Sequence, residues 1–201
     1  KDVNFGVPAY NALRNARKDA ESAERASPLF RTRSNADANL RWISDRTVTH
    51  LTSPTSWVTT NTVVKEVLTY KGKKSAAELR FTYAPSTRGI EVVDATVSNR
   101  SGKVFHVTPK EINLMDASWA ASAPRYPASK ILVVNLPGVE IGSVIRTTVV
   151  RTVTNAPVAY SGLFTFGARD PEDYESVELH VPAGMRFAVG AKNLRDLGTN
   201  G

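Results

Sequence analysis

The chain has 201 residues, 41% hydrophobic and 22% charged, which suits one domain with an appendage, or two small domains, with length enough for a sizeable core. It has no run of about 18 apolar residues that would read as a membrane span, and without cysteine it carries no thiol nucleophile, thiolate metal site or disulfide. The formal charge of +7 is spread as +3, +3, +2 and −1 over successive quarters, so no basic face is concentrated for specific nucleic-acid binding.

Residues 1–46 read as a helical N-terminal extension. Pro8 fits a first helical position, and Ala9, Ala12, Leu13, Ala16, Ala20 and Ala23 form a narrow apolar stripe that ends at Ser27-Pro28. A stripe of alanines buries little area, so this helix needs something to lean on. A second short helix is expected from Ser34, with Asp37 as a capping acid and Leu40, Trp42 and Ile43 on its buried side.

From about Arg46 the periodicity falls to two, and residues 47–195 read as one β-domain followed by a linker at 196–201. "SWVTTNTVVKEVLTY" is a strand, Lys71-Gly72-Lys73-Lys74 a hairpin tip, and "ELRFTYA" a strand with Leu79, Phe81 and Tyr83 on one face. In "GIEVVDATVSN" two apolar residues meet at Val92-Val93, where a β-bulge would keep both halves facing inward. Asn99–Gly102 is a turn into "KVFHVT"; "KEINLM" and "KILVVNL" follow. Pro137-Gly138 is a tight turn and Gly142 a second point for positive φ. Val144, Ile145, Val149, Val150 and Val153 then fit a central strand covered on both sides. "GLFTF", "YESVELHV" and "MRFAV" complete the strands. Short strands with turn residues between them and no helical window after residue 50 predict an antiparallel β-sandwich with immunoglobulin-like layers, with a barrel as the alternative.

No catalytic pattern emerges. The chain has no G-x-S-x-G elbow, phosphate loop or G-x-G-x-x-G. His50, His106 and His180 are far apart in sequence, form no metal-ligand motif, and read as half-exposed strand residues. The acids Asp170, Glu172, Asp173, Glu175 and Glu178 are interrupted by Pro171 and lack the glycine of a calcium loop, so they read as a solvated loop entering a strand. No catalytic residue, metal site or cofactor is assigned. One stretch suits binding: Trp119, Arg125 and Tyr126, between Pro124 and Pro127, could stack on a sugar or peptide or simply pin a long loop to the sandwich.

The order of "FTYAP", "VVDATVSNRSGKVFHV", "YPASKILVVNLPGVEIGSVI", "YSGLFTF" and "LHVPAGM" resembles a bacterial domain of unknown function that precedes the transglutaminase-like domain in exported proteins. The pattern falls on Tyr83 and Pro85, Ala95, Ser101-Gly102-Lys103, Pro137 with Gly142, and Val181-Pro182. Two acids of the pattern are replaced by Ser143 and Arg146, neither read as a core position.

The resemblance implies a periplasmic or cell-surface setting. It also implies a non-catalytic module that positions a downstream transglutaminase-like domain, or that domain's substrate, in the same polypeptide. The alternative is an independent glycan- or peptide-binding sandwich. A docking module should expose an apolar patch of roughly several hundred Å² toward its C-terminal end, whereas a sugar binder should show a shallow aromatic groove.

Overall fold

Alternating valine, threonine and isoleucine build nine strands within residues 38–117, 129–166 and 172–190, the residues that the computed structural model describes. They are β1 (Leu40–Ser53), β2 (Ser56–Val67), β3 (Glu78–Tyr83), β4 (Arg88–Ser98), β5 (Val104–His106), β6 (Ile112–Asp116), β7 (Lys130–Asn135), β8 (Val144–Val153) and β9 (Glu175–His180). A six-stranded sheet has the order β5-β4-β8-β2-β1-β9, and a three-stranded sheet the order β3-β7-β6. The two layers pack as the predicted sandwich. Every pair is antiparallel except the edge pair β1–β9, which the sequence reading did not foresee.

Between the layers lie Val67, Ala95, Val97 and Ile145 from the large sheet and Val134 from the small one, with Ala76, Leu136 and Val139 from the connections. Val67, Val97, Val134 and Ile145 are wholly buried, each stabilising the fold by about 1.5–3 kcal/mol relative to exposure. β8 sits between β4 and β2, and Val149 and Val150, on opposite faces, are both buried, as the two-sided pattern implied. The bulge also falls where the sequence placed it. The β4–β8 register shifts between Val92 and Asp94, so Val92 and Ala95 both turn to the core while the extra residue, Val93, is exposed.

The connection into β8 is built from hydrogen bonds. Gly142, at φ +83°, donates its N–H to the Val67 carbonyl at 2.7 Å, and the Val67 N–H donates to Ser143 at 2.9 Å. This exchange carries the β2–β8 pairing past the last strand residue. Ser143 is fully buried, against the sequence reading, because its hydroxyl accepts from the Glu140 N–H at 3.0 Å inside the turn. A hydroxyl therefore fills a core position that a carboxylate would occupy only at a desolvation cost.

Three expectations are corrected. Residues 40–43 are not a helix but the start of β1, where β-branched and aromatic neighbours pair with β2 from Leu40–Val67 onward. Lys71–Lys74 is not a hairpin tip but part of a helix, α1 (Tyr70–Ala76), capped by the Thr69 hydroxyl, which accepts from the Gly72 N–H at 3.0 Å. Lys73 and Lys74 lie in its last turn, where positive charge suits the helix dipole. "GLFTF" and "MRFAV" are not strands. Neither segment enters a ladder, and Phe187 instead sets a tilted ring against Tyr160. The predicted helix at Pro8 lies outside the described residues, as does the linker at 196–201.

A small acid-sensitive device precedes β6. The Thr108 hydroxyl and N–H both donate to Glu111 Oε2, at 2.5 and 2.7 Å, and hold that carboxyl below the ordinary carboxylate range. A depressed folded value means the contribution is present above the unfolded pKa and is lost as pH falls through the folded one. Glu111→Gln should therefore narrow the difference in melting temperature between pH 6 and pH 3, measured by calorimetry.

Candidate docking surface

After β8 the chain crosses the turn end of the β1–β2 hairpin. Asn155 enters the left-handed region at φ 50° and donates its N–H to the Ser56 hydroxyl at 3.0 Å. The Ala156 N–H donates to Thr55 at 2.8 Å and the Tyr160 N–H to Pro54 at 2.7 Å. These bonds fix Tyr160 beside Trp57, the rings meeting edge-on with centroids 5.1 Å apart, and Phe187 adds a tilted ring 6.4 Å from Tyr160. Gly162 brings in a fourth ring: a Cβ there would stand 2.8 Å from Phe164 and 3.1 Å from the Tyr160 hydroxyl.

The two segments that carry Tyr160 and Phe187 expose apolar side chains. Leu163 is 93% exposed, Val189 82% and Val158 69%, and Phe164, Phe166 and Phe187 are also exposed. Arg186 is the only charged residue in 154–166 and 181–190. Single exposed apolar residues are ordinary, but six of them within 158–166 and 187–189, two segments joined by the Tyr160–Phe187 ring contact, mark a candidate interaction site. The sequence signals were "GLFTF" and "MRFAV", read above as strands.

A second constellation runs along the other face of the β1–β9 edge. Parallel register sets Val48 beside Glu178 and His50 beside His180. The imidazoles stack with centroids 4.2 Å apart and planes 10° from parallel. Arg46 reaches Glu178 Oε1 through Nη2 at 2.6 Å and Nε at 3.2 Å, and Glu178 Oε2 lies 3.6 Å from His180 Nε2. Nearer the start of β1, Arg41 grips Asp173 at 2.7 and 3.4 Å. Asp173 and Glu178 are thus paired, not merely solvated, and Asp170 lies outside the described residues. Only the β1–β9 pairing brings two histidines so distant in sequence together, and no spacing rule could have found it. His106, in β5, stays on the opposite edge of the sheet.

Under the opposite face, Asp45 is buried and accepts from Asn61 Nδ2 at 2.7 Å, which also donates to Thr47 Oγ1 at 3.0 Å. Arg151 lies over the Phe81 ring at 5.4 Å. Burial pushes its pKa down, partly opposed by the charge of Asp45. Among the described residues no group of three or more His, Asp or Glu side chains converges on a metal position.

The structure places the remaining sequence-predicted positions as frame. Tyr83 ends β3, and Pro85 sits in the turn whose Ala84 carbonyl accepts from Arg88. Ala95 is in the core, Gly102 lies in the β4–β5 turn, Pro137 precedes β8, and Pro182 begins a turn closed by the Met185 N–H. Arg146 is a half-buried residue of β8. Trp119, Arg125 and Tyr126 lie outside the described residues. None of the described residues forms a helix long and apolar enough to cross a membrane.

No protein of curated function matches the sequence. Among solved structures, a Parabacteroides distasonis protein bearing the name "putative protease" is similar, with 17% identity and a TM-score of 0.54. The match covers 59% of this chain and 24% of that one, so the likeness is one of fold over about a quarter of a longer protein. The CBM3a-L domain of a scaffoldin from the Clostridium thermocellum cellulosome aligns over 63% of this chain and 79% of its own, at 9% identity and a TM-score of 0.29, too low to carry an argument. Residues 53–199 match a domain family of unknown function with a solved structure, DUF3857, and the chain belongs to that family.

Proposed function

We propose that this chain is a non-catalytic accessory module that seats a following domain of the same polypeptide on its apolar surface. The observation that carries the reading is the patch around Tyr160. Residues 185–190 are part of that patch and also lead toward the C-terminus, so a domain attached there would meet it at a high effective concentration. The similar structure is a longer, protease-named protein, in keeping with a sandwich that accompanies an enzyme. The partner in this reading is a transglutaminase-like domain, whose activated thiol would supply the chemistry that this cysteine-free chain lacks. Such a protein belongs at the periplasmic or cell-surface side of a bacterial envelope.

The test uses the whole polypeptide with Phe164→Ser and Phe187→Ser together. Both side chains are exposed, so the sandwich itself should lose no more than about 1 kcal/mol. Cleavage of the connecting segment by an added protease should rise about tenfold as the domains separate. Unchanged protection would sink the reading, and so would a wild-type protein whose two domains already tumble independently by NMR relaxation.

A further inference from the structure

We infer that the end of the six-stranded sheet opposite Tyr160 is a lipid-facing surface, which rests on the anionic headgroups of a bilayer. It is independent of the docking surface, which lies at the other end.

Register sets the two ends. Ser98, Val144 and Glu66 align across β4, β8 and β2, so the turn 99–103, the connection 136–143 and the entry to α1 share one end. Arg88, Val153 and Trp57 align at the other, beside 154–160. Three contacts tie the first end together. Lys73 Nζ reaches Glu140 at 2.8 Å, and the Gly142 N–H donates to Val67 shortly before α1. A Cβ at Gly142 would run into Arg100, and one at Gly138 into Phe105.

Charge separates the ends. Residues 68–77, 99–103 and 136–143 hold five basic side chains and one acid, whereas 54–55, 84–87 and 154–160 hold no charged side chain. Charge that is spread along the sequence is thus gathered by the fold. Glu140 holds Lys73, while Lys71, Lys74, Arg100 and Lys103 are exposed. Toward β9, Asp173 and Glu66 are matched by Arg41. The same basic segments expose Tyr70 to 60%, Ile141 to 43% and Leu68 to 37%.

Cations and apolar side chains together fit a bilayer surface. Lysine heads meet the phosphates, and their stems enter the headgroup layer with tyrosine and isoleucine. A nucleic-acid strand wants open aromatic faces for its bases. Here Lys74 Nζ stands over the Tyr70 ring at 4.9 Å and Lys103 Nζ over Phe105 at 4.7 Å.

The test is co-sedimentation of the 201-residue chain with vesicles of phosphatidylcholine mixed with phosphatidylglycerol, against phosphatidylcholine alone. The chain should follow only the anionic vesicles, and salt at ~0.5 M should release it. Lys71→Gln with Lys74→Gln should weaken partitioning about thirtyfold, the scale of two lysines at an anionic surface. Tyr70→Ser should weaken it about tenfold. All three side chains are exposed, so the melting temperature should hold. Phe164→Ser with Phe187→Ser, at the other end, should bind as the wild type does. A wild type that ignores anionic vesicles, or binds phosphatidylcholine equally, overturns the inference. So do lysine variants that bind undiminished, loss of binding in the Phe164 and Phe187 variant, or tighter binding to a single-stranded oligonucleotide than to the vesicles.

Discussion

Gly142→Val should lower the stability of the chain by about 2–4 kcal/mol, and the cause is the backbone before it is the space. At φ +83° a β-branched residue meets its own carbonyl, and an added Cβ would also overlap the Arg100 side chain at Nε, with Cδ and Cζ 2.8 Å away. The arginine can swing aside, but the backbone cannot relax without breaking the Gly142–Val67 bond at the mouth of β2 and β8. At about 2–4 °C per kcal/mol for a chain of this size, the melting temperature should fall by roughly 5–15 °C. Gly142→Asn should cost clearly less, since asparagine tolerates the left-handed region. In an Arg100→Ala background the valine should still cost most of its energy. If Arg100→Ala restored stability, crowding and not φ would be the reason for the glycine.

Gly72→Ala is the second large effect, and its sign runs against helix propensity. Alanine inside a helix gains about 1 kcal/mol over glycine, and the unfolded chain loses freedom as well, so a surface helix would be stabilised. Here the new Cβ would overlap the carbonyl oxygen of Asn39 and stand 2.9 Å from its carbon and 3.3 Å from Leu40 Cδ2. That carbonyl accepts from Leu68 at 3.0 Å, and the Asn39 side chain accepts from the Thr69 hydroxyl, the cap of α1, at 2.7 Å. Moving α1 away to make room breaks both. The loss should exceed the propensity gain and leave a net destabilisation of about 2–3 kcal/mol, read from urea unfolding. A stabilised variant would show that α1 swings freely off the start of β1.

The sandwich was legible because most of its strands are local patterns. Alternation marks β3, the doubled valine marks the β4 bulge, and the two-faced apolar run marks β8 as a centre strand. The turns were legible from Asn99, Pro137 and Gly142 for the same reason. α1 was missed because seven residues give too little periodicity, and because a glycine among lysines reads as a turn when its true role is close approach to Asn39. "GLFTF" and "MRFAV" misled because alternation records apolar character, not whether a ladder partner exists. The exposed apolar residues near the C-terminal end lie in segments that the alternation assigned to strands. The histidine stack had no local signal, since its register is set by pairing between β1 and β9.

That pairing also bears on how the chain folds. Arg46 and Glu178 are 132 residues apart, so their contact closes the longest loop in the sheet, whereas β1 and β2 meet across a tight hairpin. Loop-closure entropy favours the hairpin early and the closing strand late. During synthesis the first strand would leave the ribosome with its outer edge bare until nearly the whole domain had followed. For that interval an exposed, threonine-bearing edge is a template for pairing with another copy. The step to watch for aggregation is therefore the wait for β9, and a chaperone that covered β1 during that wait would act at the point of greatest risk.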